Sequence, residues 1–162
     1  MLRGTDIVTR PQGPFIDDVL LDYSDRHRRR VLLCGVRGIE FLLDLADVPD
    51  LREGDGITLT SGGMVRVTAA DEPLMEVPCA DAMLLARIAW HIGNRHLAVE
   101  ITDGMLRLRA DHVIAEMIER LGGALRYLSA PFNPEGGAYG KPAKAPPPGA
   151  RNDIHVHGHN HG

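Results

Sequence analysis

The chain has 162 residues, enough for one ordinary domain or two small ones. Its apolar fraction of 44% can build a core, but aromatics are only 4%, so that core must be aliphatic. The net charge of −4 gives no support to nucleic-acid binding, which usually needs a basic surface.

Residues 1–73 read as short strands separated by turns. Apolar runs at 19–21, 31–36, 39–45, 57–60 and 64–67 alternate with turn signals at Asp47-Val48-Pro49-Asp50, Gly54-Asp55-Gly56 and Ser61-Gly62-Gly63. This spacing predicts a small all-β domain. Arg26, Arg28, Arg29 and Arg30 read as a solvated strand edge. Cys34 and Cys79 stand apart in apolar surroundings and read as buried, inert thiols in no disulfide framework. Asp71-Glu72-Pro73 reads as a linker.

From residue 74 to 139 the pattern changes. Residues 74–79 are strand-like, and Asp81 offers an N-cap. Leu84, Leu85, Ile88, Ala89 and Ile92 then recur at helical spacing, and Gly93-Asn94 closes that helix. Residues 97–101 alternate as a strand, with a hairpin signal at Asp103-Gly104 and a second arm from Met105 to Leu108. Asp111 caps a second helix that places Val113, Ile114, Met117, Ile118 and Leu121 inward. Gly122-Gly123 ends it, and residues 125–128 form the last strand. The order β-α-β-β-α-β is the ferredoxin-like arrangement, so the fold class is α+β.

Residues 140–162 form a Pro-rich tail with little to bury, expected to be flexible without a ligand. It ends with His155, His157, His159 and His161 at alternate positions. In an extended chain such residues face one side, so four imidazoles can converge on one ion. A short His-rich tract is a compositional metal signal, and imidazole suits nickel, zinc and copper.

Other histidines have weaker claims from spacing alone. His96 follows the first helix at the start of a strand, where spacing alone favours a satisfied surface or core residue over a metal ligand. A lone His holds no metal tightly, though a two-fold dimer would bring two copies together. His112 follows Asp111 at a helix N-terminus, which disfavours its protonated form and leaves a lone pair free. Asp111 could add an oxygen ligand, or both could be plain first-turn residues. His91 reads as a helix-end residue favoured by the dipole, and His27 as a surface residue.

The chain lacks a phosphate loop, an HExxH, a deaminase signature and a GxSxG elbow, so it is not expected to be an enzyme. No N-terminal leader pattern or membrane-length apolar run appears, so a cytoplasmic location is expected.

Gly93-Asn94-Arg95-His96 after an apolar helix resembles the GNRH signature of the UreE urease accessory family, the nickel metallochaperones. Asp111-His112-Val113, Leu121-Gly122 and the run Pro131-Phe132-Asn133-Pro134-Glu135-Gly136-Gly137-Ala138-Tyr139 match the family in order. The resemblance implies an N-terminal domain like a peptide-binding module and a ferredoxin-like C-terminal domain that makes a homodimer. It implies nickel(II) at His96 from both subunits, a secondary site at His112 and further metal on the tail. The implied partners are the accessory GTPase UreG and the urease apoprotein. Some relatives carry a further His where this chain has Ala110, which weakens the secondary site.

Three rivals remain at this level. A zinc, copper or nickel storage protein would bind several ions and need no partner. A hydrolase with a His-bound metal would need a general base and a substrate pocket. An RNA-binding module of the same strand order would need stacking aromatics on its central strands, and residues 97–101 and 105–108 have none.

Overall fold

A computed structural model describes residues 1–136. Its first half contains β1 (Arg3–Val8), β2 (Asp17–Leu21), β3 (Arg30–Cys34), β4 (Glu40–Asp44), β5 (Gly56–Leu59) and β6 (Met64–Ala69). They form one sheet in the order β2-β6-β5-β1-β4-β3. The core follows the two-residue period of the strands: Phe41 and Leu43 from β4, Ile57 and Leu59 from β5, Val65 and Val67 from β6.

β1 has no counterpart among the apolar runs of the sequence. Of its six residues only Gly4 is buried, so it carries no alternation to read. It is held by long-range pairing, parallel to β4 and antiparallel to β5. A side chain at Gly4 would meet Ile57 Cγ2 at 2.5 Å.

A buried carboxylate ties the two edges of this sheet together. Asp17 on β2 accepts from the amides of Asp18, Arg37 and Ile39, while Val36 N donates to Asp18 O. The β3–β4 turn is thereby fastened to β2. Burial pushes the Asp17 carboxyl up, but the amides of Arg37, Asp18 and Ile39 outweigh it and hold the group below its ordinary range. Gly35 makes the closure possible, since a Cβ there would lie 2.1 Å from Asp17 Oδ2.

The second half contains β7 (Asp71–Pro78), α1 (Ala82–Asn94), β8 (Glu100–Thr102), β9 (Met105–Arg109), α2 (His112–Arg120) and β10 (Arg126–Pro131). All pairs of its sheet are antiparallel, in the order β10-β7-β9-β8. Ile88 and Ile92 of α1 and Ile114 and Ile118 of α2 pack with Met75, Val77, Leu106 and Leu108 of the sheet. Both expected caps form. Asp81 accepts from Leu84 N, and Asp111 accepts from Val113 N and Ile114 N.

Four local expectations need correction. Asp71, Glu72 and Pro73 are not a linker but the first residues of β7, paired with Pro131, Ala130 and Ser129. Val113 faces solvent at 60% exposure, because the buried stripe of α2 runs through Ile114, Ala115 and Ile118. Cys34 is exposed at the end of edge strand β3, and Cys79 is half-buried, so neither is a core thiol. Burial, and then the nearby Asp81 charge, raise the Cys79 thiol above its ordinary pKa. Finally, Arg26 is no edge cation: only 1% of it is exposed.

Arg26 belongs to the joint between the two halves. It sits in a 3-10 turn (Asp25–His27), and its guanidinium donates to Phe132 O and, at 3.4 Å, to Asn133 Oδ1. Phe132 is fully buried beside Tyr23, with ring centroids 5.4 Å apart. The Arg109 guanidinium lies over the Tyr23 ring, 4.9 Å from its centroid. Arg52 donates to Pro134 O at 2.7 Å, and Tyr23 N donates to Glu72 Oε2 at 2.8 Å. The segment after β10 is therefore a strap that crosses back towards the first half. Its far end is pinned to the second sheet by Asn133 N on Glu100 Oε2 and Glu135 N on Val99 O.

A candidate metal site at the end of the first helix

Helix α1 ends in a way that singles out one histidine. Gly93-Asn94 was expected to close it, but the helix runs through Asn94 and Arg95 is the C-cap. The left-handed residue is His96, at φ +55°. His96 N donates to Gly93 O and Leu97 N to Ile92 O. Those two bonds are the Schellman pattern, whose left-handed position is usually Gly and sometimes Asn. A histidine there bears the steric cost of its Cβ, and such strain is characteristic of positions whose side chain is needed. Its side chain is exposed.

The same exit shortens the next strand. Residues 97–99 are spent turning back from the helix, so β8 covers only Glu100–Thr102 instead of 97–101. The loop carrying His96 is held at its start by the helix-end bonds and at Val99 by the strap amide of Glu135.

His112 is the first residue of α2 and is exposed. Its neighbour Asp111 caps the helix through Oδ1, which accepts from two backbone amides. Ala110 on its other side supplies no donor. Among the described residues no group of three or more His, Cys, Asp or Glu lies close enough to hold an ion. Among the described residues, neither His96 nor His112 belongs to such a group. His155, His157, His159 and His161 lie outside the described residues. His91 is half-buried with its ring edge-on to Trp90, and His27 is tied to Tyr23 O and faces Asp50 at 3.3 Å, so both have structural partners.

Sequence reasoning missed Arg95 and the strap. The first carried a signal, since a long basic side chain at a helix end can reach the last carbonyls. The second did not, because Arg26 and Phe132 are 106 residues apart.

Comparison with known proteins agrees along both halves. Residues 5–70 match the family model for the N-terminal domain of the UreE urease accessory protein, and residues 72–162 match that for its C-terminal domain. The chain belongs to the UreE family of urease accessory proteins. It is similar to the UreE proteins of Beijerinckia indica subsp. indica, 50% identical over 86% of this chain and 82% of that protein, and of Bradyrhizobium sp. strain ORS 278, 50% identical over 90% and 70%. The UreE protein of Chelativorans sp. strain BNC1 is 45% identical over 86% of this chain and 87% of its own length. UreE proteins are accessory proteins and not enzymes, so this chain is not an enzyme in its own right. No described helix of this UreE-family chain is long and apolar enough to cross a membrane.

Proposed function

We propose that this UreE-family protein binds nickel(II) through histidines and delivers it for assembly of the urease metal centre. The single observation that supports this best is His96, exposed in a left-handed turn that favours glycine. A lone imidazole at such a turn is half a site. Two copies related by a two-fold axis complete it, because a symmetric interface meets itself. The assembly is thus a homodimer made through the ferredoxin-like domain, residues 74–139, with the β domain of residues 1–73 outside it.

The four tail histidines, in residues 140–162, act as a second, tethered ligand set. A tether raises the local ligand concentration, so an ion can pass between tail and turn without escaping. His112 is a weaker, secondary ligand. Histidine sites without a closed thiolate cage hold an ion yet let it go. Zinc and copper compete, since imidazole ligands do not select nickel over copper. Selectivity arises from availability and from the partners, the accessory GTPase UreG and the urease apoprotein, in the cytoplasm.

Nickel titration by calorimetry, with mass by light scattering, tests this on the intact chain, His96→Ala and a chain ending at Ala150. The expected result is loss of one tight ion per dimer in His96→Ala, with the fold and mass unchanged. Unchanged tight binding in that variant overturns the site at the turn and leaves a tail that only sequesters metal.

A further inference from the structure

The Schellman turn satisfies the Ile92 and Gly93 carbonyls at the end of α1, but it diverts one amide. Arg95 N has turned to Ile92 O at 3.1 Å, away from the His91 carbonyl that a continuing helix would give it. The Arg95 side chain supplies that carbonyl instead: Nη1 donates to His91 O at 3.1 Å. The residue before His96 thus folds its side chain back over the last turn and closes the helix from outside.

His96 needs such support. Its left-handed backbone is unfavourable for any residue with a Cβ, so the turn competes with relaxed conformations that aim the imidazole elsewhere. We propose that Arg95 is a positioning residue, which locks the left-handed turn and so presents the His96 imidazole to metal. This rests on the metal reading of His96 given above. The affinity of a site populated for only part of the time falls by that fraction, so loss of the lock weakens binding without removing a ligand.

The sign of the effect separates this role from a purely electrostatic one. A guanidinium near a bound cation repels it, so deleting the charge would tighten binding. Deleting a lock weakens it.

The experiment uses the full chain with nickel(II) as the probe, comparing the parent with Arg95→Ala, Arg95→Lys and His96→Ala. Arg95→Ala is expected to weaken the tight site about three- to tenfold, and Arg95→Lys, which keeps a charged donor, to stay within about twofold of the parent. Backbone chemical shifts of the metal-free chain supply an independent readout. Residue 96 is expected to leave the left-handed region in part in Arg95→Ala, with the rest of α1 unchanged. Parent-like or tighter binding in Arg95→Ala overturns the proposal, as does an equal loss in Arg95→Lys. If His96→Ala binds like the parent, the metal reading fails, and with it the ligand-presenting role. The shifts then still decide whether Arg95 locks the turn.

Discussion

At the scale of single residues, the informative feature is a conflict between backbone and side chain. His96 sits at a turn position where glycine is the ordinary solution. Replacing it with glycine removes the Cβ strain but adds freedom to the unfolded chain, so the two effects nearly offset. His96→Gly is therefore expected to leave stability unchanged or raise it by up to about 1 kcal/mol, while abolishing the tight nickel site. His96→Val, with a β-branched side chain, is expected to lose about 1–2 kcal/mol. Thermal unfolding checks both. A clear destabilisation by glycine would mean that the histidine makes a stabilising contact, and the strain argument would fall. The four-residue run that contains His96 was readable from the sequence, but its backbone conformation was not. Gly93-Asn94 looked like the left-handed pair, and only the hydrogen bonds place that conformation two residues later.

At the scale of elements, a row of alternating charges crosses the second sheet. Arg126 faces Glu76, Glu76 faces Arg107, and Arg107 faces Glu100, each in cross-strand register. Arg107 and Arg126 both donate to the buried Glu76 carboxylate. Those hydrogen bonds, from Arg107 first and then Arg126, hold its pKa below the ordinary value against the opposing effect of burial. Since the folded value lies below the unfolded one, this contribution is complete above about pH 4.3 and is lost as pH falls through the folded value. Denaturant titrations from pH 7 to 3 should show a shallower acid-side loss of stability in Glu76→Gln than in the parent. An identical slope would remove Glu76 as a source of acid sensitivity. The same row closes the sheet face to stacking by bases, which agrees with the absence of aromatics on β8 and β9. The helix caps belong to this scale too. Asp81→Ala and Asp111→Ala should each cost about 1 kcal/mol in denaturant melts, and Asp111→Ala also frees the turn beside His112.

For the molecule as a whole, the strap decides how the two halves are joined. Phe132 is fully buried and carries the contact with Tyr23, while Arg26 and Arg52 hold the carbonyls of Phe132 and Pro134. Burial lowers the pKa of the Arg26 guanidinium, with Glu72 and Asp50 among the opposing charges, but a guanidinium starts so high that it remains charged. Phe132→Ala is expected to cost about 3–5 kcal/mol and to split one unfolding transition into two, one for each half. Calorimetry resolves this. A single transition at lower temperature would mean that other contacts suffice to couple the halves. The run Pro131-Phe132-Asn133-Pro134-Glu135 thus has a physical role as the joint, and its last amide also steadies Val99, three residues beyond His96.

What the sequence determined alone follows from local regularities. Apolar residues two apart or three to four apart set strands and helices, so the change from an all-β half to a β-α-β-β-α-β half was visible, as were the caps Asp81 and Asp111. The motif around His96 was visible because it is contiguous. Tertiary structure decided everything that depends on partners distant in the chain. β1 exists because β4 and β5 pair with it, Arg26 is buried because Phe132 returns to it, and residues 71–73 are strand because β10 lies beside them. It also decided the backbone of His96, since a left-handed turn is set by which carbonyls its neighbouring amides reach, and periodicity carries no trace of that choice.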